Sequence, residues 1–337
     1  MSTKLPSMMR AAQASTTSGG IENAIRIANI PVPSLQGKDT VLIKVSYSSL
    51  NPVDVKVPES FVGHFFSKPL TMGVDYSGNV VQSNCAKYKA GDRVYGVTKT
   101  IPFGALTEYI VNEGAQRMIE CPDTLSLRDA STIGVAALTA YQSLVPFVKA
   151  GDKVLINGGS GGVGTFAIQI AKILGCTVTA VCSGANVELC KSLGADEVLD
   201  YKSKPLVEQL KLPGRAQFDY LLDCIFPDTA LYFQAHHYLK KGGKFATIAG
   251  SPTWKFVKEM CAVGFKPSFL GGGQRAFKVV MSSANAEECD KISEWFVQGK
   301  LKAVVEQEFE LDEAAEAYRK LKTGRTRGKI VVKVAGG

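Results

Sequence analysis

Gly159, Gly161 and Gly164 fall in G-x-G-x-x-G spacing within Asn157-Gly-Gly-Ser-Gly-Gly-Val-Gly164. Alone the pattern is weak, because 33 glycines in 337 residues produce chance matches. Its surroundings give it meaning. A short apolar strand (154–157) precedes it, and a helix follows with Val163, Ala167, Ile170, Ala171 and Leu174 along one face. In that context the first glycine permits a tight turn and the second lets backbone approach a pyrophosphate. The third lets helix and strand pack closely. Gly159, Ser160, Gly161, Gly162, Val163 and Gly164 would then cradle a dinucleotide, with helix amides and dipole facing its phosphates. A flexible glycine loop without a ligand is the weaker alternative.

The next strand bears on which dinucleotide. An NAD site carries Asp or Glu about 20 residues after the glycines. Here the stretch is Val181-Cys-Ser-Gly-Ala-Asn-Val-Glu188, with Ser183 at the acid position. A missing carboxylate removes repulsion toward a 2′-phosphate. Ser183, Asn186 and Tyr201 can donate hydrogen bonds, and Lys202 adds charge. The expected cofactor is therefore NADPH rather than NADH. That Tyr201 and Lys202 merely begin a loop is the competing reading, nearly as strong for Lys202.

The elements that must position these groups follow from length and pattern. A chain of 337 residues is about twice a typical domain, so two domains are expected. Hydrophobic residues at 45% and charged residues at 21% exclude a wholly disordered, collagen-like or coiled-coil chain. The net charge of +8 is scattered, which suits an anionic small ligand or weak contact with an anionic surface and does not indicate nucleic-acid binding. Eight dispersed cysteines with no Cys-x-x-Cys pair suggest a reducing compartment. No apolar run approaches the roughly 20 residues that span a bilayer. The N-terminal stretch has no apolar h-region, and 8–14 already reads as a strand, so no cleaved leader is expected; a transit peptide, suggested by Ser and Thr with no acid before Glu22, is the weaker alternative. The expected location is the cytoplasm, with a peripheral, organelle-associated protein as the alternative.

Residues 40–48 alternate Val41, Ile43, Val45 and Tyr47 with Leu42, Lys44, Ser46 and Ser48, the pattern of a half-buried strand. A first strand is expected at 8–14. From about Leu125 the texture changes. An Ala-rich helix (129–144) leads into strands at 154–157, 177–182, 197–199, 218–224 and 243–248, with helices between them. Repeated βα units imply a doubly wound parallel sheet. Helices at 286–298 and 312–323 and a closing strand at 329–334 complete the chain.

Further strings are spread over nearly the whole length: Ser49-Leu-Asn-Pro-Val-Asp-Val-Lys56, Gly73-Val-Asp-Tyr-Ser-Gly78, Ala90-Gly-Asp-Arg-Val94, Gly104-Ala-Leu-Thr-Glu-Tyr109, Ala137-Leu-Thr-Ala140, Lys191–Lys202, Gly242-Gly-Lys244 and Gly328-Lys-Ile-Val331. With the glycine motif, and in this order, they resemble the medium-chain dehydrogenase/reductases, specifically their zinc-independent quinone oxidoreductase branch. The similarity is strongest to chloroplast-envelope quinone oxidoreductase homologues and alkenal or enone reductases. It implies a Rossmann domain (126–270) inserted in a GroES-like β domain (1–125 plus 271–337). Substrate would bind in the cleft between them.

What the resemblance implies for individual residues can also be written out. Asn51 stands where zinc relatives carry their first catalytic Cys, and Val74-Asp75 replaces His-Glu, so no metal site is expected. Asn51 would contact the nicotinamide ribose or the substrate carbonyl, and Lys56 would hold or protonate the developing enolate. A solvated Lys56, or one on a cofactor phosphate, is an equal alternative. Thr139, Cys224 and Lys329 are expected at the cofactor. Asp54 would brace the loop and Asp75 would cap backbone. Related bacterial enzymes carry Lys where Asn186 aligns, a departure that counts against NADPH without reversing it. The segment 251–274 departs from family patterns and would line the cleft or form a lid.

The activity implied is NADPH-dependent reduction of quinones or of the C=C bond of α,β-unsaturated carbonyls, by a homodimer. Two alternatives rank lower: a trans-acting enoyl reductase serving a synthase, and a non-enzymatic NADPH-binding protein with an RNA-binding or structural role.

Overall fold

The computed structural model describes residues 5–98, 104–113, 117–226, 229–248, 250 and 253–335. The chain forms two compact units, Met1–Leu138 with Ser283–Gly337, and Thr139–Ser282. The sequence reading drew the boundaries at 125/126 and 270/271. The segment Leu127–Ala130 and the π-helical turn Ile133–Ala137 pack on strands of the first unit. At the other end, Ala276–Val279 adds a strand to the second unit's sheet, which holds that stretch there.

The first unit is built on an antiparallel core. Thr40–Ser49 pairs with Asp75–Ser83, Tyr109–Glu113 and Lys329–Lys333, and the last pairs in turn, in parallel, with Val305–Glu310. The strand Thr40–Ser49 is buried on both faces. Leu42, Ser46 and Ser48, which alternation would turn outward, are all buried, and Lys44 alone on this strand is exposed. The strand lies mid-sheet with Leu127–Ala130 packed on it, so period-2 patterning underestimates its cover. Val41, Ile43, Val45, Leu50, Met72, Ile330 and Val332 form the main apolar cluster.

The expected helix at 129–144 is interrupted. Leu127–Ala130 ends at Ser131, a π-helical turn covers Ile133–Ala137, and an α-helix resumes over Leu138–Leu144. Gly134 lies tight against the strands at this turn. A Cβ at that position would come within 2.6 Å of Val97 Cγ1 and 2.7 Å of Asp75 Oδ1.

The second unit carries a six-stranded, wholly parallel sheet. Its order is Glu197–Asp200, Thr177–Cys182, Lys153–Asn157, Phe218–Asp223, Leu239–Thr247, Ala276–Val279. This 3-2-1-4-5-6 order reverses direction beside Lys153–Asn157, and ligands of such sheets bind at that switch point. Asn157 Nδ2 bridges it, donating to Asp223 Oδ1 at 2.9 Å. The last strand escaped the sequence reading because its four residues carry only weak alternation. All eight cysteines are free thiols. No helix among the described residues is long and apolar enough to cross a membrane.

Candidate active site

In the second unit, the strand Lys153–Asn157 runs into the glycine turn and then the helix Gly162–Ile173. The left-handed residue is Gly158, at φ +85°, one position before the glycine assigned to the tight turn from sequence. Gly159 instead lies against its surroundings. A Cβ there would meet Ala180 Cβ at 3.0 Å and Cys190 Sγ at 3.4 Å. At Gly164 a Cβ would lie 2.1 Å from the Gly158 carbonyl oxygen, so helix and turn touch backbone to backbone. Gly161 faces open space apart from the same oxygen at 3.4 Å. It is the helix N-cap and supplies no side chain to the first-turn amides. These amides, bare backbone and the dipole form a cradle suited to a pyrophosphate.

Three residues named from sequence converge beside this turn. Asn186 Nδ2 donates to Ser160 Oγ at 3.1 Å and Ser183 Oγ at 3.3 Å, while Asn186 Oδ1 is buried with no partner. Tyr201 is exposed, and its amide donates to the Cys182 carbonyl oxygen at 3.2 Å, which holds it beside the same strand end. Cys224 flanks the turn from the other side, its amide donating to the Asn157 carbonyl oxygen at 3.0 Å. Its thiol pKa is raised by burial, so it stays protonated. Thr139 Oγ1 donates to Ser282 Oγ at 2.9 Å, a partner the sequence did not suggest.

The sequence reading also missed Asp200. It pairs in register with Cys182, and a Cβ on Gly184 would lie 2.7 Å from its Oδ2. The neighbouring strand thus places a carboxylate beside Gly184, one residue past position 183. Only the pairing of the two parallel strands, which end together, brings these residues side by side.

The first unit holds a buried charge cluster. Asn51-Pro-Val-Asp54 folds as a tight start to the short helix Val53–Lys56, with Asp54 Oδ2 accepting from the Asn51 amide at 2.9 Å and from Tyr318 Oη at 3.4 Å. Asn51 Nδ2 donates to Asp75 Oδ2 at 2.8 Å and to the Ser49 carbonyl oxygen at 3.3 Å. Ser49 Oγ lies 2.9 Å from the same Asp75 oxygen. Lys329 Nζ donates to Asn51 Oδ1 at 2.5 Å and to the Leu50 carbonyl oxygen at 2.9 Å, and sits 3.6 Å from Asp75 Oδ2.

Two expectations change here. Asn51 has both amide hydrogens engaged inside the protein, so it retains no donor for a substrate oxygen. Lys329 is only 2% exposed with its ammonium held by Leu50, Asn51 and Asp75, and it is not offered to a cofactor. A buried ammonium without partners would be too costly, so it turns to the acceptors that share its interior. Asp54 does brace the loop. Asp75 accepts from the side chains of Ser49 and Asn51, and a backbone hydrogen bond from Val135 also bears on its carboxyl. Lys56 is exposed, its amide donates to the Pro52 carbonyl oxygen at 2.9 Å, and its ammonium has no hydrogen-bond or ion-pair partner among the described residues. Protein packed around it lowers its ammonium pKa.

Burial dominates the titration of the cluster. It raises Asp54 to about 8, with Asp75 adding repulsion, and raises Asp75 against the pull of Lys329. Burial likewise lowers Lys329. A carboxyl whose folded pKa lies above its unfolded value of about 3.9 stabilises the fold below that value and loses the contribution as pH rises through the folded pKa. For Asp54 the window runs from about 4 to about 8. Asp54→Asn retains an acceptor for Asn51 and cannot ionise. It should flatten the fall in denaturation midpoint across that window. An unchanged pH slope in the variant would show that Asp54 is not the group responsible.

Residues 193–332 match the family described as zinc-binding dehydrogenase, and residues 37–123 match the alcohol dehydrogenase GroES-like domain. Zinc takes thiolate, neutral imidazole or carboxylate ligands. Around Asn51 the candidate oxygens already bind Lys329 and amide hydrogens, and among the described residues no three His, Cys, Asp or Glu converge. The donor set does not fit the metal.

The trans-enoyl reductase pgmF of Aspergillus terreus is 36% identical, aligned over 99% of this chain and 98% of that protein. The chloroplastic quinone-oxidoreductase QR1 of Triphysaria versicolor is 32% identical over 96% of this chain and 98% of its own. The quinone oxidoreductase structure from Coxiella burnetii superposes with a TM-score of 0.85 at 28% identity, covering 97% of this chain and all of that one. With these relatives, the parallel 3-2-1-4-5-6 sheet and the glycine cradle, the chain belongs to the medium-chain dehydrogenase/reductase superfamily, in the branch that holds the quinone oxidoreductases.

Proposed function

We propose that this oxidoreductase uses NADPH to reduce quinones or the C=C bond of α,β-unsaturated carbonyls, without zinc. The observation that carries the reading is the cradle at Gly158–Gly164, where a side chain would fill the space beside uncapped helix amides. In this reading the first-turn amides of Gly162, Val163 and Gly164 hold the phosphates, while the Gly161 amide closes the turn on the Gly158 carbonyl oxygen at 3.0 Å. Ser160, Ser183, Asn186 and Tyr201 hold the adenosine end, where the unpartnered Asn186 Oδ1 awaits a donor. Asp200 opposes a 2′-phosphate from the adjacent strand, so the preference for NADPH rests on the hydroxyls of Ser160, Ser183 and Tyr201 and on Lys202, the amide hydrogens of Asn186 being engaged by the two serines. Thr139 and Cys224 serve the nicotinamide half.

A bound nicotinamide dinucleotide supplies a hydride. With no zinc-ligand set among the described residues to hold an alkoxide, the better-suited substrate is an electron-poor acceptor, which needs only a hydrogen-bond donor at its developing oxyanion. Lys56 takes that role. Its lowered pKa eases release of a proton from Nζ to the enolate or phenolate oxygen, completing a two-electron, one-proton step after which water reprotonates the amine. Asn51 acts as a positioning residue, held by Asp75 and Lys329 at the head of the turn that presents Lys56.

The test is NADPH oxidation with a panel of enones and of ortho- and para-quinones. Lys56→Met should lower kcat by roughly 10²–10⁴-fold, the usual range for a general acid, with NADPH affinity unchanged. Absence of turnover by the native protein on every acceptor would refute the proposal. A trans-acting enoyl reductase is the second reading, favoured by the similarity to pgmF along nearly the whole chain. Turnover of carrier-bound acyl chains with none of free enones would select it.

A further inference from the structure

We propose that the helix Trp254–Phe265 and the turn Ser268–Leu270 seat the protein on an anionic membrane surface. The helix is held from beneath. Phe256 meets Phe226 edge-on with centroids 6.1 Å apart, Val263 packs against the core of the second unit, and Glu259 Oε2 accepts from Thr229 Oγ1 at 2.8 Å. Thr253 caps its start, with Oγ1 accepting from the Phe256 amide.

Its outer face is apolar and open. Trp254, Val257, Cys261 and Phe265 recur at helical spacing along one exposed stripe. Trp254 is 83% exposed and Phe265 84%. The following turn, closed by Gly271 at φ +83°, adds Phe269 at 84% and Leu270 at 62%. Exposed apolar patches of this extent are unusual on soluble proteins unless something covers them.

The charges around the patch say what kind of surface that is. Between 253 and 270 stand Lys255, Lys258 and Lys266 against the single acid Glu259, which is turned inward to Thr229, while Arg275 beyond them is turned onto the carbonyl oxygens of Leu239 and His236. Lys255 and Lys258 are exposed beside the stripe. An apolar stripe carrying Trp and Phe, rimmed by lysines, is the composition of a helix that lies in the headgroup plane of an anionic leaflet.

The experiment is co-sedimentation of the full chain with vesicles of phosphatidylcholine alone and of phosphatidylcholine with phosphatidylglycerol. Binding should appear on the anionic vesicles and weaken at high salt. The chain has two tryptophans, and Trp295 is buried, so a blue shift on binding reports Trp254. The double variant Phe265→Ser, Phe269→Ser, altered only at exposed positions, should bind anionic vesicles about tenfold less or weaker still. No sedimentation with either vesicle, or equal binding by the variant, overturns the proposal. So does a dimer in vesicle-free solution that shields Trp254 from acrylamide, since a second copy would then be the occupant. Neither vesicle binding nor its failure depends on the redox activity proposed above.

Discussion

Gly164→Ala is expected to weaken NADPH binding by 100-fold or more, about 2.7 kcal/mol. The added Cβ would lie 2.1 Å from the Gly158 carbonyl oxygen and 2.8 Å from Gly159 Cα. Both are backbone atoms in a turn whose amides bond to the Val181 carbonyl oxygen at 3.1 and 2.9 Å, so nothing flexible can yield. Relief must come from moving the turn away from the helix start, which spreads the amides that would meet the phosphates. Gly161→Ala separates ligand loss from packing loss. Its Cβ would meet only the Gly158 oxygen at 3.4 Å, so the variant should keep a native melting temperature. It should nevertheless bind NADPH more weakly, because the open space it fills is the space the pyrophosphate needs. Calorimetric titration beside thermal melts reads both effects. Native affinity in Gly164→Ala would remove the cradle from the account.

Lys329→Met should destabilise the first unit by about 3–5 kcal/mol near pH 8, the usual cost of leaving a buried charge uncompensated. The ammonium is the cation that restrains the pKa of both Asp54 and Asp75. Without it both carboxyls titrate at still higher pH. The folded variant then keeps protons at pH values where the folded native chain has released them, so the deficit grows as pH rises through the native carboxyls' own titration, about 8 for Asp54, and shrinks on acidification. Denaturant midpoints measured from pH 5 to pH 9 should therefore diverge upward in pH between native and variant chains. Adding Asp75→Asn should recover much of the loss, since the carboxamide needs no counter-charge. If Lys329→Met unfolds at the native midpoint at pH 8, the cluster does not hold this loop. NADPH affinity should barely change in the variant, because the nucleotide cradle lies in the other unit.

The glycine turn, the strands and helices around it and the residues beside it were legible in the sequence because each depends on local pattern. A buried strand, a turn that only glycine tolerates and an amphipathic helix follow one another within 20 residues of chain, and their order implies a parallel sheet. Ser160, Ser183 and Asn186 were legible for the same reason, lying at short spacing on two strand ends of known register.

Lys329, Asn51 and Asp200 were not. Lys329 lies 278 residues from Asn51 along the chain, and its direction depends on which acceptors share its interior. Asn51 has the chemistry of a substrate ligand until the fold brings Asp75, Ser49 and Lys329 onto its carboxamide. Asp200 becomes a neighbour of Gly184 only through the pairing of adjacent parallel strands. Composition and spacing determined the chain's class and its glycine turn, because those rest on backbone conformation. Tertiary structure decided which polar groups remain available, because burial makes every donor and acceptor seek the partners that the fold, and not the sequence interval, places within reach.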